Sequence, residues 1–409
     1  MSRSTEIRTW AVLAPLLALA SCGDDDNGCW NCVAYTPYEV SVGLVAGNFN
    51  NNGHTSIVAT STVLYYPQVN PGNLKSYLST GAGTFAAPTL TSDGDDPLFL
   101  ASADLNGDNL PDIVSTSYSD GTLSVFFNSI QSPGSFSAPL VLPSPGASQV
   151  AIADVNGDGL PDLVSADFNV SLFVQTSPGA FAAPISLYSG GANWVAVGDL
   201  NGDGSPDVAL TDNVGVKVLM HTGVPSATTF AAPVAVFTQT INSNVIGANV
   251  IAIADLRGIG LNDLVITDPG PAGGSAPTVS ILLQDPANHG QFLPAVSYAT
   301  APGSLAQSIV VTDIDGDGHP DIVIGGTGAV TVLLQNASGG GVFAAASNYS
   351  VVNANQIAVA DVNGDGHPDI ILATGLSQPV VSGVITNNPG VLLQSATSPG
   401  TFGALQDLP

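Results

Sequence analysis

The residues with the clearest chemical pattern lie at positions 154–162, which read D-V-N-G-D-G-L-P-D. Counted from the first residue, oxygen-bearing side chains stand at positions 1, 3, 5 and 9 of this loop. Alternate spacing lets a curled loop direct every second side chain inward, and Gly157 and Gly159 permit the positive φ angles that the curl needs. Ca²⁺ takes about six to eight oxygen ligands, whereas Mg²⁺ keeps several waters. The loop therefore predicts a calcium site.

The runs on either side of the loop predict a strand hairpin. The opening of the loop is similar to the EF-hand pattern, but that pattern closes with Glu at position 12, and here Ser165 stands there while Asp162 closes the loop. The flanks 150–153 and 163–166 are short and β-prone rather than helical. The alternative for one isolated copy is a solvated Asn/Asp/Gly turn without a metal.

Five full copies of the loop favour the metal site over that alternative. They begin at Asp104, Asp154, Asp199, Asp313 and Asp361. Position 7 acts through its backbone carbonyl, so His319 and His367 are expected to direct their side chains to solvent. The predicted ligands are Asp104, Asn106, Asp108, Leu110 and Asp112; Asp154, Asn156, Asp158, Leu160 and Asp162; Asp199, Asn201, Asp203, Ser205 and Asp207; Asp313, Asp315, Asp317, His319 and Asp321; and Asp361, Asn363, Asp365, His367 and Asp369.

Two further copies are degenerate. The loop at Asn48 has no carboxylate, so we expect it to hold no ion and to be held by internal hydrogen bonds. The loop at Asp255 has Arg257 at position 3. We expect its guanidinium to replace the cation and bridge Asp255 and Asp263, since a cationic fork can satisfy two carboxylates. The alternative is that Arg257 points to solvent.

The seven loops recur at intervals of roughly 45–58 residues, which is the scale of a propeller blade. A Phe that most copies follow with Pro three residues later recurs at the same intervals, as in Phe136 and Phe181. The third unit reads as strands 150–153, 163–166, 170–175 and 181–188. Four short antiparallel strands per unit predict an all-β, seven-bladed β-propeller. We expect the surplus last strand, Thr401–Leu405, to join the first blade and close the ring. The alternative is an open array of hairpins.

The loops D-x-[ND]-G-D-G-x-P-D and the Phe-x-x-Pro signature resemble FG-GAP/VCBS repeats, the propeller repeats of integrin α-subunits and of many bacterial surface proteins. The resemblance covers residues 38–409. It implies that each metal loop joins the first two strands of a blade on one rim, and it carries little information about function.

The charge of the chain excludes some partners. The formal net charge is −27, with only five Lys and Arg residues. Such an acidic protein is a poor ligand for nucleic acid or for anionic membranes. Five bound Ca²⁺ ions would neutralise part of this charge.

The N-terminus predicts export. An apolar run follows Arg3 and Arg8 and is too short to span a bilayer, so residues 1–21 are expected to be a signal peptide. The sequence Leu19-Ala20-Ser21-Cys22 resembles the bacterial lipobox, which implies lipidation of Cys22 and an outer-membrane or cell-surface lipoprotein; the alternative is ordinary cleavage nearby. In the tether 22–37, Cys29 and Cys32 are expected to form a disulfide, since exported proteins favour one.

Three functions remain open on the sequence. The preferred one is a surface binding or adhesion module for a protein or glycan ligand. The alternatives are a Ca²⁺-dependent polysaccharide-active enzyme and a structural component of the envelope. No recognisable catalytic constellation is present; Asp93, Asp95 and Asp96 are expected to form a solvated acidic loop. In the insert Gln68–Gly83, Tyr77 is expected to pack on a neighbouring blade or to be exposed for binding.

Overall fold

The computed structural model describes residues 38–65, 68–69, 71–81, 83–166, 168–212, 214–222, 229–238, 250–268, 277–374 and 388–408. The predicted signal peptide and Cys22, Cys29 and Cys32 lie outside these ranges. The described residues form strands, turns and loops, and none of these ranges holds a helix long and apolar enough to cross a bilayer.

The strands fall into seven units. The first unit contains β1 (Tyr38–Val40), β2 (Leu44–Gly47), β3 (Ser56–Tyr65), β4 (Gln68–Val69), β5 (Pro71–Tyr77), β6 (Ser79–Gly81), β7 (Thr84–Phe85) and β8 (Thr89–Asp95). The second contains β9 (Pro97–Ala103), β10 (Asp112–Ser117), β11 (Thr122–Phe126) and β12 (Leu140–Pro143). The third contains β13 (Gln149–Ala153), β14 (Asp162–Ala166), β15 (Val170–Phe173), β16 (Gln175–Ser177), β17 (Ala180–Phe181) and β18 (Ile185–Tyr188).

The last four units each contain four strands. They are β19 (Trp194–Gly198), β20 (Asp207–Thr211), β21 (Gly215–Leu219) and β22 (Val234–Thr238); β23 (Ile251–Ala254), β24 (Asp263–Asp268), β25 (Thr278–Leu282) and β26 (Val296–Ala299); β27 (Ala306–Thr312), β28 (Asp321–Gly326), β29 (Ala329–Leu333) and β30 (Ser347–Ser350); and β31 (Ile357–Ala360), β32 (Asp369–Leu372), β33 (Gly390–Leu392) and β34 (Gln406–Asp407).

Each unit is a four-stranded antiparallel blade, and the seven blades form a closed propeller, as the sequence predicts. In the first blade the order is β2-β3-β5-β8, and β1 and β4 also pair with β3. The innermost strands contact one another in a complete cycle: β2, β9, β13, β19, β23, β27, β31 and β2 again. A closed ring removes most exposed sheet edges, so the alternative of an open array is wrong.

The apolar core lies between the blades. The second strands are buried along their length, as in β14, because they are covered by a blade on either side. The outer strands are mostly exposed, as in β12 and β26. Seven apolar clusters fill the seven interfaces, so each blade is stabilised by both of its neighbours.

The predicted ring closure by Thr401–Leu405 is wrong. The last strand, β34, pairs with β33 inside the seventh blade. The reason is that the Phe of each unit precedes that unit's own fourth strand: β8 follows Phe85 in the first blade, so no blade lacks a strand that another must supply. The predicted strand 181–188 is likewise divided, since Phe181 lies in β17 and pairs with Gln175, whereas β18 begins at Ile185.

Side chains close the ring instead. Leu44 and Tyr77 of the first blade pack with Ile371 and Val391 of the seventh. Gln356, which precedes β31 and is 7% exposed, reaches past the first blade to the second. Its Oε1 accepts the N–H groups of Leu44 and Leu100 at 3.0 and 3.1 Å, and its Nε2 donates to the Leu100 carbonyl at 2.7 Å. One side chain therefore links three blades.

We predict that Gln356→Ala destabilises the fold by roughly 1–3 kcal/mol, since buried backbone groups of Leu44 and Leu100 lose their partner. Urea unfolding of the purified protein measures this change. Gln291→Ala, at an exposed site, is the matched control. Equal unfolding midpoints for the two variants would show that Gln356 does not hold the ring.

Candidate metal centre

The seven loops lie on one rim of the disc. Each joins the first and second strands of its blade, as between β13 and β14. Hydrogen bonds connect these loops to neighbouring blades: Asn262 Nδ2 of the fifth loop donates to the Asp199 carbonyl of the fourth at 2.9 Å, and Gln175 Nε2 of the third blade donates to the Leu105 carbonyl of the second loop at 2.9 Å. The loops are therefore fixed to the next blade as well as to their own.

In six of the seven loops, an aspartate at position 9 fixes the loop to its blade. Both oxygens of this fully buried carboxylate accept backbone N–H groups, one from position 2 of the loop and one from the second residue after the third strand. The donor pairs are Leu105 and Asn128, Val155 and Gln175, Leu200 and His221, Leu256 and Gln284, Ile314 and Gln335, and Val362 and Gln394, at 2.7–3.2 Å. This aspartate thus joins the loop, the second strand and the segment after the third strand, and we call it the bracket aspartate. The sequence analysis missed this role.

Positions 1, 3 and 5 curl the loop through side-chain acceptors. In the loop at Asp154, the Asp154 carboxylate accepts the N–H groups of Asp158 and Gly159 at 3.1 and 2.8 Å. Asn156 Oδ1 accepts the Asp158 N–H at 2.9 Å, and Asp158 Oδ1 accepts the Leu160 N–H at 2.8 Å. The φ angles of Gly157 and Gly159 are 71° and 87°, as predicted. Asx-type bonds of this kind preorganise the oxygens on the inner side of the curl.

The sixth loop brings three carboxylates close enough for one ion. Oxygen atoms of Asp313, Asp315 and Asp317 all lie within 4.8 Å of one another. This oxygen-only set fits a hard cation such as Ca²⁺. Burial, together with the charges of Asp317 and Asp313, raises the pKa of Asp315. A bound cation would offset that crowding.

Burial also raises the pKa of the bracket aspartates. The pKa values of Asp112, Asp207 and Asp321 rise to about 6, despite the two N–H groups that each carboxylate accepts. Those of Asp162 and Asp369 rise for the same reason. A nearby cation would favour their ionised forms.

The first loop is held by internal hydrogen bonds, as predicted: Asn48 Oδ1 accepts the Gly53 N–H at 3.2 Å, and Asn52 Oδ1 accepts the His54 N–H at 2.9 Å. Asn50 and Asn52 both donate from Nδ2 to the Ser79 carbonyl, at 2.8 and 2.7 Å. Ser56 stands at position 9, and its Oγ accepts the Ser79 N–H at 3.0 Å, which reproduces half of the aspartate bracket. The expectation that this loop binds no ion stays a prediction.

Arg257 lies inside the fifth loop, but it pairs with one of the two predicted acids. Its guanidinium donates to Asp263 at 2.8 and 3.4 Å and to the Gln284 carbonyl at 2.8 Å, and its side chain is 11% exposed. Asp255 accepts only backbone N–H groups, from Arg257, Ile259 and Gly260. The predicted bridge from Arg257 to Asp255 is therefore wrong, because the guanidinium is paired with Asp263, the aspartate at position 9 of this loop.

Four further residues were given expectations from the sequence, and the structure departs from them at three and agrees at Tyr77. His319 and His367 are half-buried rather than directed to solvent, and the His319 ring lies where a Cβ on Gly339 would be. Asp93 is buried on β8, so the solvated acidic loop is wrong at that residue. Tyr77 is fully buried and its hydroxyl donates to Asn388 at 3.1 Å, which confirms that it packs on a neighbouring blade.

The polar residue after each third strand is a second feature that the sequence analysis missed. Gln284 and Gln394 donate to the position-2 carbonyls of the preceding loops, Leu200 and Ile314, at 2.7 Å each. The signal was present in the sequence, because Gln284, Gln335 and Gln394 each stand eight residues before the Phe of their unit. Each Gln forms an isolated bridge with that Phe.

We predict different consequences for two aspartates of one loop. Asp162→Asn lowers stability by roughly 1–3 kcal/mol even without metal, because an amide group must face a buried N–H. Asp158→Asn costs less without metal, and it weakens Ca²⁺ binding at this loop. Denaturant unfolding in EDTA and in Ca²⁺ separates the two; equal losses in EDTA would contradict the bracket.

We also predict that Arg257→Asn combined with Ile259→Asp creates a metal site, since the loop then carries the oxygen ligands of its neighbours. Native mass spectrometry should count one more Ca²⁺ than in the parent protein. The control is Arg257→Ala, which removes the cation without supplying ligands. An unchanged count in the double variant would show that the guanidinium does not occupy a metal position.

Structural comparisons show related folds. A lectin of Agrocybe aegerita, described for recognition of non-reducing terminal N-acetylglucosamine, is 21% identical, with a TM-score of 0.53 over 76% of this chain and 80% of the lectin. The V. cholerae biofilm matrix protein Bap1 is 15% identical, with a TM-score of 0.39 over 82% and 85% of the two chains. A rhamnogalacturonan lyase, YesW, is 10% identical, with a TM-score of 0.44 over 82% and 70%. Such low identities show likeness of fold alone.

The sequence itself identifies the repeat. No curated protein matches the chain. Residues 48–115, 104–165, 154–210, 255–324 and 313–372 each match the FG-GAP-like repeat, and each match runs from one loop into the blade that contains the next. Together these segments cover more than half of the 409 residues, and the chain therefore belongs to the FG-GAP-like repeat family.

Proposed function

We propose that this protein is an exported, lipid-anchored β-propeller that Ca²⁺ stabilises and that acts at the cell surface as a binding or adhesion module for a protein or glycan. The observation that carries the proposal is the ring of acidic loops, in which the carboxylates of Asp313, Asp315 and Asp317 converge. The repeated loops supply a rigid scaffold, and recognition is left to the connections in which the blades differ.

The Ca²⁺ ions act on stability. They bind the folded loops and not the unfolded chain, so saturation of one site at a hundred times its Kd contributes about 2.7 kcal/mol. The five loops that begin at Asp104, Asp154, Asp199, Asp313 and Asp361 hold the ions through the predicted ligands. Lipidation of Cys22 and a Cys29–Cys32 disulfide belong to the same proposal, as the tether of the propeller.

The shifted titratable groups support binding over catalysis. Catalytic acids and bases usually have perturbed pKa values and stand together in a cleft. Among the described residues, raised carboxyl pKa values belong mostly to bracket aspartates such as Asp112, Asp207 and Asp321, whose oxygens are occupied by backbone N–H groups. Asp212, with a lowered pKa, is paired with Lys217 beside Tyr188. These perturbations have structural causes.

We predict that the mature chain binds a glycan or protein ligand only with its loops intact, and that it releases no product from polysaccharides. A glycan array and a polysaccharide-degradation screen on the same preparation test both points. EDTA should lower the melting temperature by several degrees and reduce binding, and Ca²⁺ should restore both. Release of sugar fragments would overturn the binding proposal in favour of an enzyme, and unchanged melting in EDTA would overturn the role of Ca²⁺.

A further inference from the structure

The corner between the first and second blades contains a buried acid. Asp93 lies on β8 and is 1% exposed. Its carboxyl group lies against the hydroxyl groups of Ser115 and Ser124 on β10 and β11 of the second blade. Its Oδ2 and the Ser115 Oγ have no hydrogen-bond partner among the described residues. At Oδ2, an ionised carboxylate would lack the donor that makes burial of a charge tolerable.

The charged groups around this corner are acids. The Asp120 carboxylate, from the β10–β11 turn, accepts the Asp95 N–H at 2.7 Å and lies 2.7 Å from where a Cβ on Gly94 would be. Asp96 accepts the Ser119 hydroxyl at 2.9 Å. Asp95 and Asp96 thus adjoin Asp93 along the chain, and Asp120 faces it from the second blade.

Among the residues that the structure describes, the strands of the first blade add no opposing cation at the interface. Lys75 on β5 lies across from Leu90, whereas its neighbour Leu74 packs between the first and second blades. Because side chains alternate along a strand, Lys75 stands on the other face of the sheet from Leu74. On the interface side, β3 contributes the hydroxyl of Thr62, whose Oγ1 lies 3.3 Å from where a Cβ on Gly72 would be.

This arrangement favours the neutral acid. Burial raises the pKa of Asp93 to about 7; the hydroxyl groups of Ser115 and Ser124 oppose this rise, and the Asp120 charge adds a smaller contribution to it. Burial and the charges of Asp120 and Asp95 also raise the pKa of Asp96. A protonated Asp93 can donate to a serine hydroxyl, whereas an ionised one is repelled by Asp120.

We propose that Asp93 is a proton-operated latch between the first and second blades: the neutral carboxyl group holds β8 against β10 and β11, and loss of its proton to solvent releases the corner 89–97. The latch is independent of the Ca²⁺ loops, which lie at the other ends of these strands, and of the binding function proposed above.

The latch acts next to the closure of the ring. The corner leads directly into β9, where Leu100 receives the side chain of Gln356 from the seventh blade. Release of β8 therefore loosens the first blade, which lies between the seventh blade with Gln356 and the second blade with Leu100. The expected consequence is local opening at the junction of the first, second and seventh blades while the other four blades stay packed.

The direction of the pH dependence follows from linkage. Asp93 binds its proton more tightly in the closed state, with a pKa of about 7, than in an open state with its ordinary value near 3.8. The opening constant should therefore rise about tenfold per pH unit between about 5 and 7 and become constant above 7. The stability that the latch contributes is present at low pH and lost as the pH rises.

Hydrogen exchange on the mature chain in saturating Ca²⁺ tests the latch. After correction for intrinsic exchange rates, opening at β8 and β10 should rise about fiftyfold from pH 5 to pH 7 in the parent protein. Asp93→Asn, which keeps a neutral side chain, should abolish that rise. Asp95→Asn, which removes a charge two residues away, is the matched control and should keep it.

A second measurement does not depend on the variants. Carboxyl ¹³C resonances of the parent protein report the titration of Asp93 directly, with a midpoint expected near 7. A midpoint below 5 would overturn the latch, as would the same pH dependence of exchange in Asp93→Asn and Asp95→Asn.

Discussion

The rest of the structure depends on one interaction, the acceptance of two backbone N–H groups by a buried carboxylate. In the third blade, Asp162 joins Val155 of the loop to Gln175 beyond the third strand. Three separate segments are thereby held by a side chain with no exposure to solvent. Without this acid the loop could curl, but it would lose the two hydrogen bonds that orient it relative to the interior of the blade.

The bracket aspartates would also link a bound cation to the fold. Burial disfavours ionisation of Asp207 and Asp321 and raises each pKa to about 6. In the absence of an ion, the fold therefore loses stability as the pH rises from about 4 through 6, because these carboxyl groups ionise more readily in the unfolded chain. A cation in the loop would favour the charged carboxylate and oppose that loss, so the loop and the blade interior would respond to the same ion.

Much of the fold could be predicted because repetition places the same local signals at regular intervals. The loop at Asp154 and its β-prone flanks indicate a hairpin, and seven such units indicate a ring. The ring closure was not predictable in the same way. A local pattern indicates which face of a strand is apolar but not which strand it pairs with. The strand after Phe402 could therefore belong to the seventh or the first blade, and only the pairing of β34 with β33 decides between them.

The candidate metal centre could also be predicted in part. The spacing of Asp313, Asp315 and Asp317 indicated convergent oxygens, and the structure brings them together. The bracket role of Asp321 depends on a backbone N–H fourteen residues away, at Gln335, which spacing within the loop cannot show. Asp93 was misread for a related reason. Three acids in four residues suggest solvation, but alternation along β8 places Asp93 against the second blade.

The departures from the repeat determine how the rim can distinguish ligands. A ligand that contacted only repeated positions would meet several equivalent sites, so selectivity requires positions where the blades differ. The first loop is a neutral set of amides bound to Ser79, and the fifth holds the guanidinium of Arg257 on Asp263. These two loops interrupt the acidic ring, one between the seventh and second blades and the other between the fourth and sixth. Even if every acidic loop held an ion, the first and fifth loops would therefore still differ from the other five. They divide the rim into an arc of three acidic loops and an arc of two.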